Sequence, residues 1–289
     1  MKRRRFLGIA ACFAATPLCA LTNRWQGQAL GGLVSVTLRG PRTESQAALS
    51  ELPKILEQIE NSFSLYRPSE LTQLNASGQI RASTRFLALL QDCQKAWKLT
   101  DGLFDPTVQP LWHALAKGTN PQRAHSLIGW DRVTYGPDNR VRLAPGQELT
   151  LNGIAQGFAT DAIADTLLKR GFDDCLINMG EHRALGGPHR LALVDPLHGN
   201  VGQRSLNNTA IATSSPSALT LGNAPHILSP QGHAPRWSTI SIETPSATLA
   251  DALSTAAVFM DEPRLGRLKK AAGLSRITTL DQAGNLRSL

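Results

Sequence analysis

Three stretches of the sequence hold side chains whose chemistry could be combined. The first is Thr248-Leu-Ala-Asp251-Ala-Leu-Ser254-Thr255. Asp251 and Thr255 stand four apart, so on a helix their oxygens share one face. Small Ala neighbours leave room beside them, and a carboxylate with a hydroxyl can hold a hard cation such as Mg2+. The same letters also spell a capping box, Thr248-x-x-Asp251, in which Asp251 only helps to start a helix. On local grounds alone the cap is the preferred reading. The second stretch is Leu151-Asn-Gly-Ile-Ala-Gln-Gly-Phe-Ala-Thr-Asp161. A turn at Asn152-Gly153 leads into a helical pattern, so backbone can approach a ligand and the helix start attracts an anion. Ordinary packing of a strand and a helix explains it equally well. The third is Tyr66-Arg67, kept on extended or turn backbone by Pro68. Tyr66 could stack on a planar ring while Arg67 meets a phosphate, or both could anchor a loop.

Elements on either side must position these residues. Alternation predicts a strand over 33–38, and a helix pattern runs over 44–63 with Leu49, Leu52, Ile55, Leu56 and Ile59 on one side. A second helix is expected over 84–100, with Phe86, Leu87, Leu90 and Trp97 inward, ending at Asp101-Gly102. A Pro-bearing connector, 103–108, follows. Residues 132–135 and 141–143 form an expected hairpin about the turn 136–139. The run 148–151 reads as β-like and feeds the Asn152-Gly153 turn. The helix after it shows Phe158, Ala162, Ile163, Thr166 and Leu167 on one face and stops at Gly171. Further strands are expected at 175–178, 210–213 and 238–243, a hairpin from 184–186 and 191–194, and a last helix over 249–260.

The chain has 289 residues and a formal charge of +8. Lys2, Arg3, Arg4 and Arg5 supply four of those charges, leaving +4 for the remainder. That is too mild for a nucleic-acid partner, and no basic stripe is interleaved with aromatics. Residues 1–20 read as a removable export signal: a charged start, a short apolar core over 8–15, and small residues about Cys19-Ala20. Arg3-Arg4-x-Phe6-Leu7 fits the twin-arginine pattern. The apolar run is too short to span a membrane. The expectation is a soluble periplasmic protein, not itself transmembrane, with one domain over 21–289. Cys93 and Cys175 remain outside the signal and are expected as two buried thiols. There is no CxxC or HExxH pattern.

Taken together, the segments resemble the ApbE family, the FAD:protein FMN transferases. The resemblance runs through Tyr66-Arg-Pro-Ser-Glu-Leu71, Asp101-Gly-Leu-Phe-Asp-Pro-Thr-Val108, Gly153-Ile-Ala-Gln-Gly-Phe-Ala-Thr-Asp161, Asn178-Met-Gly-Glu181, Ala212-Thr-Ser214, His226-Ile-Leu-Ser-Pro230 and Ala250-Asp-Ala-Leu-Ser-Thr255, in the family's order. The Asn-Gly-Ile-Ala-Gln-Gly wording is most similar to the NosX-like branch associated with nitrous oxide reductase maturation.

The resemblance implies an α+β fold, mixed or antiparallel sheets with flanking helices, binding FAD and Mg2+ in a cleft. It implies transfer of FMN from FAD to a Ser or Thr hydroxyl of an acceptor flavoprotein, with AMP leaving. For the NosX-like branch the acceptor is a membrane flavoprotein of the nitrous oxide reduction system. By position, Tyr66 lies against the isoalloxazine ring, and Leu30, Leu103, Phe104, Asp105, Thr150, Gln156, His226 and Leu228 contact FAD. Gly153, Asp251, Ser254 and Thr255 form the metal set, and His226 and Asp251 carry the catalysis. Two further readings stay open: FAD hydrolysis to FMN and AMP, and a non-catalytic flavin-binding assembly factor. The sequence departs from the family at Thr150 (usually Asp), Asn152 (Gly), Gln156 (Lys or Glu) and Ser229 (Asp). Leu30-Gly31-Gly32 stands where Met-Gly-Thr is usual.

Overall fold

The computed structural model describes residues 22–222 and 224–289. The expected signal segment, 1–20, lies outside these residues. Strands β1 (Thr22–Ala29) and β2 (Gly32–Arg39) form an antiparallel hairpin closed by Leu30 and Gly31, both at positive φ. Such a two-residue turn has the twist the strands need. Helices α1 (Arg42–Ser50) and α2 (Leu52–Phe63) follow. The helix expected over 44–63 is therefore two. Pro53 falls in the first turn of α2, where its missing amide costs nothing, whereas inside one long helix it would break a hydrogen bond.

Tyr66 and Arg67 sit on the turn before α3 (Glu70–Ser77), which Ser69 caps by accepting from the Thr72 amide. After β3 (Gln79–Arg81) comes α4 (Thr84–Leu99). Its buried stripe is Phe86, Leu89, Leu90, Cys93 and Ala96; Leu87 and Trp97 are only partly covered. Helices α5 (Gln109–Lys117) and α6 (Pro121–His125) lead to β4 (Thr134–Tyr135) and β5 (Arg140–Arg142), the expected hairpin, which β3 joins.

The run 148–151 is not a strand. The Asn75 carboxamide clasps it instead, accepting from the Leu149 amide at 2.8 Å and donating to the Leu149 carbonyl at 2.9 Å. Thr150 donates its amide to the Pro106 carbonyl. The backbone groups are satisfied without a sheet. Helix α7 (Ala155–Lys169) begins just after and ends where Gly171 takes φ +83°.

The rest builds the main sheet. Strands β6 (Cys175–Asn178), β7 (His182–Leu185), β8 (His189–Asp195), β9 (Gly199–Leu206), β10 (Ala210–Ser214), β11 (Thr220–Leu221), β12 (Ala224–Pro225) and β13 (Thr239–Thr244) precede α8 (Ala247–Ala257) and α9 (Glu262–Ala272). Strands β14 (Arg276–Leu280) and β15 (Leu286–Ser288) close the chain. The sheet order is β1-β2-β6-β7-β10-β13-β14-β15, antiparallel at each pairing. The hairpin expected between 184–186 and 191–194 does not form. β7 pairs with β6 and β10, and β8 pairs with β9 as a separate ribbon. One sheet face packs Ile177, Ala212, Ile240 and Ile242 in the main core with α7 and α8. The other faces the ribbon across a small cluster that includes Leu176, Ala184, Leu191 and Ile211. Cys93 and Cys175 are buried free thiols, as expected. No helix among the described residues is long and apolar enough to cross a membrane.

Helices α7 and α8 approach closely at Gly157. A Cβ added there would lie 2.3 Å from the Ala247 carbonyl oxygen and 2.8 Å from Asp251 Cβ. Gly157→Ala is therefore expected to lose about 2–3 kcal/mol, since overpacking here meets backbone rather than a movable side chain. Gly266→Ala in α9 meets no atom within 4 Å. It is expected to gain about 0.5–1 kcal/mol from helix propensity. Denaturant unfolding of the two variants checks this contrast, and equal effects would refute the close approach.

Candidate active site

Asp251 lies inside α8 rather than at its start. The cap of α8 is Ser246, whose hydroxyl accepts from the Leu249 amide. The capping-box reading of Thr248 and Asp251 is thereby corrected. Thr248 instead donates its amide and hydroxyl to Asp161 of α7. Asp251 reaches the other way and accepts from the Gly157 amide at 2.9 Å, in the first turn of α7. Ile154 at the cap of α7 has no side-chain acceptor to offer, so Asp251 caps that helix from across the interface.

Asp251 is only 4% exposed and Glu181 only 7%. Burial pushes the Asp251 carboxyl up to about 7, with the Gly157 amide pulling the other way. Burial also pushes Glu181 well above the usual carboxylate range, and the Asp251 charge adds to it. Glu181 accepts from the Thr213 amide at 3.0 Å. Neither acid makes a salt bridge to Lys, Arg or His among the described residues. Burial disfavours the charge on both acids, a cost that a cation beside them would relieve.

The donor set suits a hard ion. Gly153 sits against Thr255, where a Cβ on Gly153 would come within 2.9 Å of Thr255 Oγ1. The structure thus joins Gly153, Asp251 and Thr255 at one place, the base of α7 against the middle of α8. Ser254 is fully buried. Its hydroxyl is shared with Ser214 at 2.8 Å and with the Asp251 carbonyl at 3.0 Å, which ties β10 to α8. No cluster of three or more His, Cys, Asp or Glu of metal-binding geometry exists among the described residues. A cation here would rest on Asp251, neutral oxygens, water and ligand phosphate, a division that fits Mg2+.

His226 stands on the loop that leaves β12. Its Nδ1 lies 3.2 Å from the Pro216 carbonyl and 3.1 Å from the Leu219 carbonyl. Two carbonyls only accept, so Nδ1 carries the hydrogen and Nε2 presents a lone pair. Burial lowers the His226 pKa below its ordinary value, against the pull of those carbonyls. The ring is a neutral base. Leu228, two residues on, is anchored against Leu111, Ala114 and Ala124 of α5 and α6.

Tyr66 is 62% exposed and lines a cleft of about 430 Å³ with Leu65, Trp112, His113, Glu148 and Asn152. Asn152 Nδ2 donates weakly to the Tyr66 hydroxyl at 3.4 Å. Glu60 accepts from the Leu30 amide and from Arg67, which pins the Leu30 turn beside the Tyr66 segment. Arg67 is therefore engaged with Glu60 and Asn61. Leu103 and Phe104 are buried in the main core and do not line this cleft. Both oxygens of Asp105 are used internally, by the Thr107 amide and hydroxyl and by the Trp130 amide. Thr150 Oγ1 accepts from the Asn152 amide, which shapes the turn ahead of α7. Gln156 folds over Gly180, where a Cβ would lie 2.4 Å from its Cδ.

Glu181 is the buried partner that residue spacing could not supply. Only its place in the Asn178-Met-Gly-Glu181 segment marked it. Asp161 was likewise visible only as the end of a motif, yet it accepts from Ser246, Ala247, Thr248 and Arg183.

Comparison with known proteins agrees with this architecture. The ApbE family model matches residues 30–276. The FAD:protein FMN transferase of Vibrio cholerae is 26% identical over 257 residues, covering 76% of this chain and 75% of its own. That of Haemophilus influenzae is 24% identical over 298 residues, covering 89% and 85%. The Thermotoga maritima ApbE protein superposes with a TM-score of 0.82 at 22% identity, over 92% of this chain and 96% of its own. The Pseudomonas stutzeri flavinyl transferase ApbE superposes at 0.78 and 23% identity, over 93% and 94%. The fold is the α+β arrangement expected from the sequence, and the chain belongs to the ApbE family.

Proposed function

We propose that this protein is an Mg2+-dependent flavin transferase, moving FMN from FAD to a Ser or Thr hydroxyl of an acceptor flavoprotein. The observation that carries the reading is the buried Asp251–Glu181 pair, with no cationic partner among the described residues, beside the amide-rich start of α7. Relatives named as FAD:protein FMN transferases support it.

In this reading the acceptor oxygen attacks the phosphorus on the FMN side of the diphosphate. The bond to the AMP phosphate breaks, a new phosphoester forms, and AMP leaves with the electron pair. The proton of the attacking hydroxyl passes to Nε2 of His226, which its carbonyl-bound Nδ1 leaves free to accept. Bound Mg2+ would neutralise charge on the diphosphate oxygens. Asp251, Thr255 and the Gly153 backbone would hold it. Tyr66 offers a face for the flavin ring. Export through the twin-arginine route to the periplasm, and a membrane flavoprotein of nitrous oxide reduction as acceptor, complete the proposal. Both rest on the sequence.

Three outcomes are expected. Protein incubated with FAD, Mg2+ and a candidate acceptor leaves covalent flavin on the acceptor, seen as in-gel fluorescence, and Asp251→Asn lowers this by about 10²-fold or more. AMP release without acceptor would favour FAD hydrolysis, and tight FAD binding without turnover would favour a carrier. Second, Mg2+ at a hundredfold excess over its Kd raises Tm by about 5 °C in wild type. Asp251→Asn abolishes that rise; a rise that persists would remove Asp251 from the metal site. Third, at saturating Mg2+, which would hold Asp251 ionised, the neutral His226 base exists above its lowered pKa, so the acid limb of kcat/KM lies below 6.5. His226→Gln costs about 10²-fold in rate and removes the limb. A limb above 6.5 would contradict the lowered value.

A further inference from the structure

The cleft beside Tyr66 contains a polar relay that the transfer chemistry does not use. Gln109 lies on the buried face of α5, and its Nε2 is 2.8 Å from Nε2 of His113, one turn on. An amide N–H can only donate, so His113 Nε2 accepts and Nδ1 carries the hydrogen. That Nδ1 lies 3.1 Å from Glu148 Oε2. Glu148 comes from the run that Asn75 clasps at Leu149, so its backbone is fixed as well. One carboxylate oxygen is held by His113. The other makes no hydrogen bond among the described residues, and Glu148 lines the cleft with Tyr66, Trp112 and Asn152.

We propose that Glu148, oriented by His113 and Gln109, reads the N–H on the pyrimidine edge of a flavin ring lodged between Tyr66 and Trp112. This rests on the flavin-transfer reading and names the group that selects the ring. A carboxylate only accepts, so it favours an N–H and repels phosphate oxygens and ring nitrogens bearing a lone pair. The cleft therefore takes the ring system and turns the diphosphate away, toward the start of α7. The flavin edge sets an imide N–H next to a carbonyl. Asn152 Nδ2, now resting weakly on the Tyr66 hydroxyl at 3.4 Å, is a donor for that carbonyl. Two aromatic side chains and a volume of about 430 Å³ suit a planar heterocycle. Adenine also pairs an N–H with an acceptor, so the test separates the two rings. Glu148 is a specificity residue and His113 a positioning residue.

The experiment is a fluorescence titration of the full chain with riboflavin and with N3-methylriboflavin, in which a methyl group replaces the imide hydrogen. Wild type is expected to prefer riboflavin by about tenfold or more, the size of one hydrogen bond to a charged acceptor. Glu148→Ala should bind both equally, by weakening riboflavin alone. Glu148→Gln, whose carbonyl still accepts, should keep part of the preference. His113→Ala should reduce the preference and His113→Gln, which can donate to Glu148, should restore part of it. A merely structural role would weaken both ligands together and overturn the proposal. So would a preference that survives Glu148→Ala, or a loss confined to AMP in competition. Flavin bound with no preference in wild type overturns this proposal alone. No flavin binding at all overturns the flavin-transfer reading as well.

Discussion

Two carboxylates exchanged between two helix starts hold the centre of this molecule. A helix start leaves amide hydrogens without partners, and the cap residue of α7 is Ile154, which has no side-chain acceptor. Asp251 of α8 supplies the acceptor for Gly157, and Asp161 of α7 answers with contacts to Ser246, Ala247 and Thr248 at the start of α8. The exchange works only because the backbones come close, and Gly157 permits that. Every residue of the acidic site is placed relative to this junction. Gly153 precedes α7, Thr255 follows Asp251 by one helical turn, and Ser254 ties β10 to the same helix through Ser214.

That arrangement has an electrostatic consequence. A carboxylate that caps a helix on the surface stays ionised easily, whereas Asp251 and Glu181 are buried side by side and hold their protons more tightly than usual. The fold bears this cost where a cation could relieve it. His226 shows the opposite device. Burial disfavours its charge, and two carbonyls select the tautomer that leaves Nε2 open. Two tightly protonated acids and a neutral imidazole are thus set by the same means, exclusion of water, acting on groups of opposite charge.

The cleft depends on a single side chain in a comparable way. Asn75 binds both polar groups of Leu149, replacing the sheet partner that the run 148–151 lacks. Glu148 and Thr150 flank the residue that is held. Glu148 meets His113 of α5, and Thr150 shapes the turn at Asn152. Departures from the family at Thr150 and Asn152 therefore fall where the Tyr66 cleft and the base of α7 meet.

Local patterns determined much of this. Alternation marked β2, short strand-like runs marked β10 and β13, three- and four-residue spacing marked α4 and α7, and Gly171 marked a helix end, because side-chain patterning and glycine backbone freedom act within a few residues. Order of motifs along the chain was enough to show the family resemblance. What the chain could not show was which polar group faces which. Thr248-x-x-Asp251 has the letters of a cap, and only the packing of α7 against α8 turned Asp251 outward to a different helix. The run 148–151 has the letters of a strand, and only Asn75 made a strand partner unnecessary. Strand 184–186 looked like half of a hairpin, but its neighbours across the sheet are β6 and β10. Glu181 became part of the site through burial beside Asp251, a property of neither residue alone. Sequence decides what each segment can form; hydrogen bonds and charges between distant segments decide what it does, because their energies exist only once the chain has brought them together and excluded water.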